Sequence, residues 1–422
     1  MTDKQTLELI WNQIDENELI ELILDLGKIY SPTTHEREVA DYVLQWLVKE
    51  GITAKEVSLI PERPNILAKI KGSGDGKSLI FNSHMDTAIW HNDPRYREPN
   101  DPIYHSAWRD GDWLYGNGVM NDKGQLGTWL IAVKALRKAG VQLKGDLLLS
   151  MVSGEIGYEP VDEFQGLDYS GKDMGARYLV THGGVADYAL VAEASNFTIG
   201  WVEAGKAFCK VTVYGGKSLY TPYVPRRTRI EESPNAIVQG ARFIQALESW
   251  ANIYEDKYRY ECAGGTVIPK ISIGGIRGGL PYQVTKTTEV CHIYIDVRMP
   301  PGTRPTDIVR ELETLLQQSN LEGQVELILY RPGHEAQGTE PLVEAIREAH
   351  QSLFGELPGK PPIPTTSMWR DINPFNEVGI PAVFYGPGGG SGGGGNAVLI
   401  QDFVNAAKVY AATILNICNQ ER

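Results

Sequence analysis

The chain has 422 residues and a formal net charge of -13 at pH 7, long enough for two or three folded units at the usual roughly 100 to 200 residues each. Its apolar and charged contents, 42% and 22%, are ordinary for a globular protein, so disorder is excluded and a sizeable core is expected. The acidic balance excludes a nucleic-acid partner, because phosphate neutralisation needs clustered Lys and Arg and the chain clusters them only in the short "RRTR" of 226–229.

The N-terminal "MTDKQTLELIWNQIDENEL" scatters acids through its apolar residues, so neither a signal peptide nor a membrane span of roughly 20 apolar residues is expected. Residues 17 to 50 read as helical: Val39, Val43 and Leu47 recur every four positions, Thr33 and Glu36 have the spacing of a capping box, and Gly51 sits where a C-terminal cap belongs. Short apolar runs with helices between them follow: "SLIF" before Asn82, "DLLLSMV" before Ser153, "YALVA" before Glu193 and "PAVFY" before Gly386. Runs that do not alternate suit strands buried on both faces, which predicts an α/β domain with a mostly parallel sheet.

The pattern changes near Lys206. "FCKVTVYG", a helix near Asn235–Tyr258, "VIPKISIGG", "EVCHIYIDVRM", a helix near Thr306–Gln318 and "QVELILYRPG" give the strand, helix, strand, strand, helix, strand order of a ferredoxin-like α+β unit. The α/β pattern then resumes, so the expected organisation is 1–205 and 333–422 as one domain with 206–332 inserted into it. Cysteines 209, 262, 291 and 418 show no CxxC spacing, which fits a reducing cytoplasm.

Ligands of open parallel sheets bind beyond the carboxyl ends of the strands, so the polar residues just past each run are the candidates. They are His84 and Asp86 in "NSHMDT", Glu155 in "SGEIG", Glu193 after "YALVA", and Asn121, Asp122 and Lys123 in "GNGVMNDKG". One imidazole and several carboxylates at one edge form a divalent-metal composition suiting zinc, manganese or cobalt. Asp86, two residues beyond His84, is spaced to orient the ring nitrogen that faces away from a metal.

These motifs, with "SPTTHEREVADYVLQWLVKEG", "RPNILAKIKG", "PNAI", "IDVRMPPGT" and "GIPAVFYGPG", resemble the co-catalytic zinc amidohydrolases that include acetylornithine deacetylase, succinyl-diaminopimelate desuccinylase, aminoacylases and carboxypeptidase G. The resemblance covers nearly the whole chain. It implies a zinc-peptidase-like domain carrying an inserted lid that often dimerises, hence a homo-oligomer, and a small carboxylate-bearing substrate.

The departures from the family pattern lie at the site. The bridging Asp two residues before the Lys of "DKG" is Asn121, the general base of the paired acids is Gly154, and the last His ligand falls near Gly392 in "GPGGGSGGGGNA". The matching positions leave His84, Asn121, Glu155 and Glu193 for metal, with Asp122 as the alternative to Asn121 if the loop shifts by one residue. Asp86 and Glu155 become the catalytic candidates, Glu155 as a third ligand or a replacement base, and Tyr220, Asn235, Arg298 and Gly392 the substrate contacts. Trp90, Trp108, Trp113 and Trp201 suit a flat substrate. The expected protein is a divergent hydrolase cleaving a C-N bond with one labile divalent ion; the alternative is an inactive homologue that binds a small anion.

Overall fold

The computed structural model describes residues 4–225, 229–388 and 396–421. The chain divides into two compact units, Met1–Trp201 with Ala336–Pro361 and Arg370–Arg422, and Val202–Glu335 with Pro362–Trp369. The second unit is a little larger than the insertion expected at 206–332, because Val202–Glu203 pairs antiparallel with His334–Glu335 and the Ala204 amide donates to the Thr366 carbonyl.

The first unit is built on a six-stranded sheet in the order Ala54–Val57, Asn65–Ile70, Leu147–Val152, Leu79–His84, Tyr188–Ala192, Ala382–Tyr385. The first two pairings are antiparallel and the other three parallel. The central strands are buried along their length, and successive side chains enter two different cores. Leu79, Phe81, Leu149 and Leu190 pack with helices Glu16–Lys28, Lys123–Lys138 and Ile400–Cys418, while Ile80, Leu148, Ala189 and Val191 pack with Ala176–Val180 and Ile372–Glu377. Each large apolar side chain so buried contributes about 1.5 to 3 kcal/mol, which is why these runs do not alternate.

The second unit holds a four-stranded antiparallel sheet in the order Lys270–Gly278, Val290–Met299, Gly205–Tyr214, Gly323–Arg331. Helices Ala236–Lys257 and Pro305–Gln318 cover it, burying Phe243, Leu247, Ile308 and Leu312 against Val211, Ile293 and Ile295.

One expectation fails informatively. The helical stretch 17–50 is two helices, Glu16–Lys28 and Arg37–Lys49, and the second begins without a side-chain cap. Thr33 and Glu36 have capping-box spacing but other partners. Thr33 Oγ1 donates to Asp86 at 3.2 Å, and both Glu36 oxygens accept from Arg63, at 2.6 and 2.9 Å. The other end is as read, with Gly51 at φ +67° following the last turn.

Glu36 and Arg63 are fully buried, and Arg63 also donates to the Ser170 carbonyl at 2.6 Å. Removing one partner strands a buried charge at a cost of about 3 to 5 kcal/mol. Arg63→Met is therefore expected to lower the unfolding free energy of the first unit by about that amount in denaturant titration, and the double variant Glu36→Met/Arg63→Met to recover much of the loss.

Candidate metal centre

Strand ends converge as the sheet topology requires. His84 closes its strand opposite Val152, three residues before Glu155, and Glu193 follows the next strand directly. Asn121 and Asp122, joined by a cis peptide bond, precede helix Lys123–Lys138. Asp122 stands at the N-cap of that helix yet caps nothing. Its Oδ2 instead accepts from the His84 backbone amide at 3.2 Å, and its buried Oδ1 has no hydrogen-bond partner among the described residues.

One ligand atom each from His84, Asp122 and Glu193 lie within 4.8 Å of one another, and all three residues are buried. Asn121 is also present: its Oδ1 is 2.9 Å from His84 Nε2. The amide therefore sits beside the imidazole as the sequence pattern expects, but the ionisable member of the cluster is its neighbour Asp122. The far ring nitrogen, Nδ1, meets the backbone carbonyl of Asp86 at 2.9 Å and the Asp86 carboxylate at 3.4 Å. The carboxylate of Asp86 also accepts from the Glu155 and Ile156 amides, at 3.1 and 2.9 Å, so it fixes the imidazole and the Glu155 loop together.

Electrostatics separates these acids. Burial pushes Asp122 well above the usual carboxylate range, and the charge of Glu193 adds to it. Glu193 is likewise raised by burial, against the pull of Arg370, whose guanidinium is 3.6 Å away. Burial opposes charge at Glu155 and Asp86 too, but there partners win: Lys172 and His84 hold Glu155 down, and His84 holds Asp86 down. Burial disfavours a charged His84, yet the Asp86 contact and the charges of Asp122, Asp86 and Glu155 outweigh it and raise the imidazole well above its ordinary value. Two adjacent buried acids that resist ionisation, one with an unpartnered oxygen, beside an imidazole form a donor set that fits a divalent cation.

Glu155 is differently engaged. Its Oε1 accepts from Lys172 Nζ at 2.5 Å, and its Oε2 lies 3.9 Å from His84 Nε2. The sequence reading passed over Lys172 and Arg370, the cations paired with Glu155 and Glu193. Lys172 opens a three-residue 3-10 turn, Lys172–Met174, too short to write a period in the sequence, whereas Arg370 adjoins Asp371 in "WRDIN" and could have been found there. Asp371 is buried, accepts from Asn82 at 2.8 Å, and is pushed up to about 7 by burial and then by Glu155. The lysine of "DKG" turns away: Lys123 Nζ donates to the Ile29 carbonyl and to Ser31 Oγ.

Of the remaining candidates, Asn235 has its side-chain oxygen committed to capping helix Ala236–Lys257 through the Ile237 amide at 3.0 Å. Arg298 forks onto Asp296 at 2.9 to 3.1 Å, and Tyr220 is half exposed. All three belong to the second unit. Gly392 lies outside the described residues. Trp90 meets Tyr158, three residues beyond Glu155, edge-on at 5.2 Å, whereas Trp108 stacks on Tyr115 in a separate three-stranded ribbon that also holds Trp113.

Residues 80–416 match the family model described as Peptidase family M20/M25/M40. The chain belongs to this family. It is 24% identical to an N-formyl-4-amino-5-aminomethyl-2-methylpyrimidine deformylase of Bacillus subtilis over 99% of both chains. Among solved structures it resembles human carnosine dipeptidase 1, with TM-score 0.72 and 17% identity over 98% of this chain and 99% of that one. It also resembles a dinuclear metal-binding peptidase of the same family from Bacillus subtilis, with TM-score 0.62 and 16% identity over 96% and 99%. Family membership makes the chain a metal-dependent hydrolase of C-N bonds. No helix among the described residues is long and apolar enough to cross a membrane.

Because the carboxyl of Asp371 rises from an ordinary 3.8 to about 7 on folding, its proton stabilises the fold at low pH and that contribution is lost as pH climbs through this window. In chelator, Asp371→Asn is expected to flatten the fall of melting temperature between pH 4 and about 7. An unchanged slope would show that the group titrates normally.

Proposed function

We propose that the chain hydrolyses the amide C-N bond of a small carboxylate-bearing N-acyl or N-formyl compound, at a centre holding one labile divalent transition-metal ion through His84, Asp122 and Glu193. The observation that carries this reading is the unpartnered, buried Oδ1 of Asp122 within reach of the other two ligand atoms. A divalent ion there supplies Lewis acidity and a water of lowered pKa.

The chain's own residues do the rest. Asp86 holds the His84 ring so that Nε2 faces the cluster, and its grip on the Glu155 amide sets the distance between imidazole and carboxylate. Glu155 Oε2, left over once Lys172 has taken Oε1, is the acceptor for the proton of the attacking water. Hydrolysis adds water across the bond, giving a carboxylic acid and an amine, and the proton taken by Glu155 returns to the leaving nitrogen. Lysine pairing makes Glu155 a weak base, which suits an activated amide such as a formamide on an electron-poor ring. The aromatic pair Trp90 and Tyr158 is the natural wall for such a ring. The deformylase relative, whose name specifies a formylated aminopyrimidine, supports this substrate class.

We further propose a cytoplasmic location, in keeping with four free cysteines. Copies pair through the second unit, where the edge strand Lys270–Gly278 and the exposed Leu280, Tyr282 and Val284 lie.

A panel of N-formyl and N-acyl amines and amino acids, assayed with manganese, zinc or cobalt, tests the reaction. Turnover is expected to vanish in EDTA. His84→Ala and Asp122→Ala are expected to lower kcat/KM by at least about 100-fold, the upper end of what loss of a supporting partner alone costs, with melting temperature in EDTA not reduced for Asp122→Ala. Glu155→Gln is expected to lower kcat by about 10² to 10⁴ with little change in KM. Ligand-induced stabilisation that EDTA does not affect, with no turnover of any compound, would instead make the chain an anion-binding homologue.

A further inference from the structure

A relative described as dinuclear has the same fold, and among the described residues of this chain one group of three ligand atoms gathers, from His84, Asp122 and Glu193. Lys172 lies against the neighbouring acid, Glu155. Its ammonium lies 2.5 Å from Glu155 Oε1, and both side chains are more than nine-tenths buried. The loop presenting it is fastened on both sides: Arg63 donates to the Ser170 carbonyl at 2.6 Å, and Asn65 Nδ2 to the Met174 carbonyl at 2.7 Å. This is a lysine built into the floor of the site, not a surface lysine that happens to reach it.

The same loop accounts for Gly154. That residue has φ +73°, and a Cβ there would meet the Gly171 carbonyl at 3.1 Å, Met174 Cγ at 3.1 Å and an Arg63 nitrogen at 3.2 Å. Three residues on, a Cβ at Gly157 would lie 2.5 Å from Gly171 Cα. The segment carrying Glu155 and the segment carrying Lys172 are therefore packed backbone to backbone. A side chain at 154 would adopt a strained backbone conformation and press on the segment that carries Lys172, so the glycine suits the lysine in its present position.

We propose that Lys172 is a built-in cation that takes the place of a second metal ion, holding Glu155 away from metal ligation and restricting the centre to one ion on His84, Asp122 and Glu193. An ammonium neutralises one carboxylate and repels a divalent ion at the same position, and at such separations that repulsion is large in a buried site. Asn121, with a neutral amide where a bridging carboxylate would share two ions, adds no counter-charge. The proposal rests on the one-metal reading above and deepens it.

The test is metal content and affinity, independent of turnover. Apo protein is titrated with zinc or manganese, with bound metal counted by elemental analysis after gel filtration and affinity read by calorimetry. The wild type is expected to saturate at one ion. Glu155→Gln is expected to leave both stoichiometry and affinity unchanged within about threefold, whereas Glu193→Gln weakens binding by about tenfold or more. Lys172→Met, which removes the repelling charge and frees Glu155, is expected to bind metal at least about tenfold more tightly or to take up a second ion, and Lys172→Arg to behave as wild type. Lys172→Gln replaces the Met variant if that fails to fold. Two ions on the wild type, an effect of Glu155→Gln as large as that of Glu193→Gln, or no gain on removing the lysine charge overturns the proposal while leaving metal-dependent hydrolysis intact. No uptake by the wild type would overturn the one-metal reading and this inference with it.

Discussion

The carboxylate of Asp86 is the constraint on which the centre depends. It is inaccessible to solvent, and it gathers Thr33 from the approach to one helix, two consecutive amides from the Glu155 loop, and the imidazole at the end of the central strand. An anion can be kept in such a place only if its lone pairs are satisfied, and these donors come from three stretches of the chain, around Thr33, His84 and Glu155–Ile156. Sequence-distant segments are thus held together by one buried carboxylate.

Charge compensation around it follows a simple pattern. Asp86 has His84, Glu155 has Lys172 and Glu193 has Arg370, while Asp371, with its raised affinity for a proton, needs no counter-ion below about pH 7. Asp122 keeps one oxygen, Oδ1, with no hydrogen-bond partner among the described residues. Asp122 and Glu193, both raised by burial, are the neighbouring acids whose charge an added cation would offset, and without one both favour the proton.

Much of this was legible in the amino-acid string because parallel strands buried on both faces write continuous apolar runs, and the topology then sends the residues after each run to one edge. His84, Glu155 and Glu193 were found by that rule alone. Thr33 and Glu36 illustrate where local reading breaks down: their spacing is that of a helix cap, but buried charges at Asp86 and Arg63 bind them more strongly than two backbone amides could. Lys172 was illegible for a different reason. Nothing periodic surrounds it, and its importance comes from close backbone approach at Gly154, Gly157 and Gly171, which only three dimensions reveal. Choosing between Asn121 and Asp122 likewise needed coordinates, since adjacent residues of one loop both reach His84.

The uncapped start of helix Arg37–Lys49 carries a wider meaning. Ahead of that helix Thr33 is held by the Asp86 carboxylate, and at its N-cap position Glu36 is held by Arg63, so its start is tied to buried charges carried by other segments. The entry to a helix is thereby coupled to charges that the helix itself does not carry, and a change at either buried charge would be felt first where that helix begins.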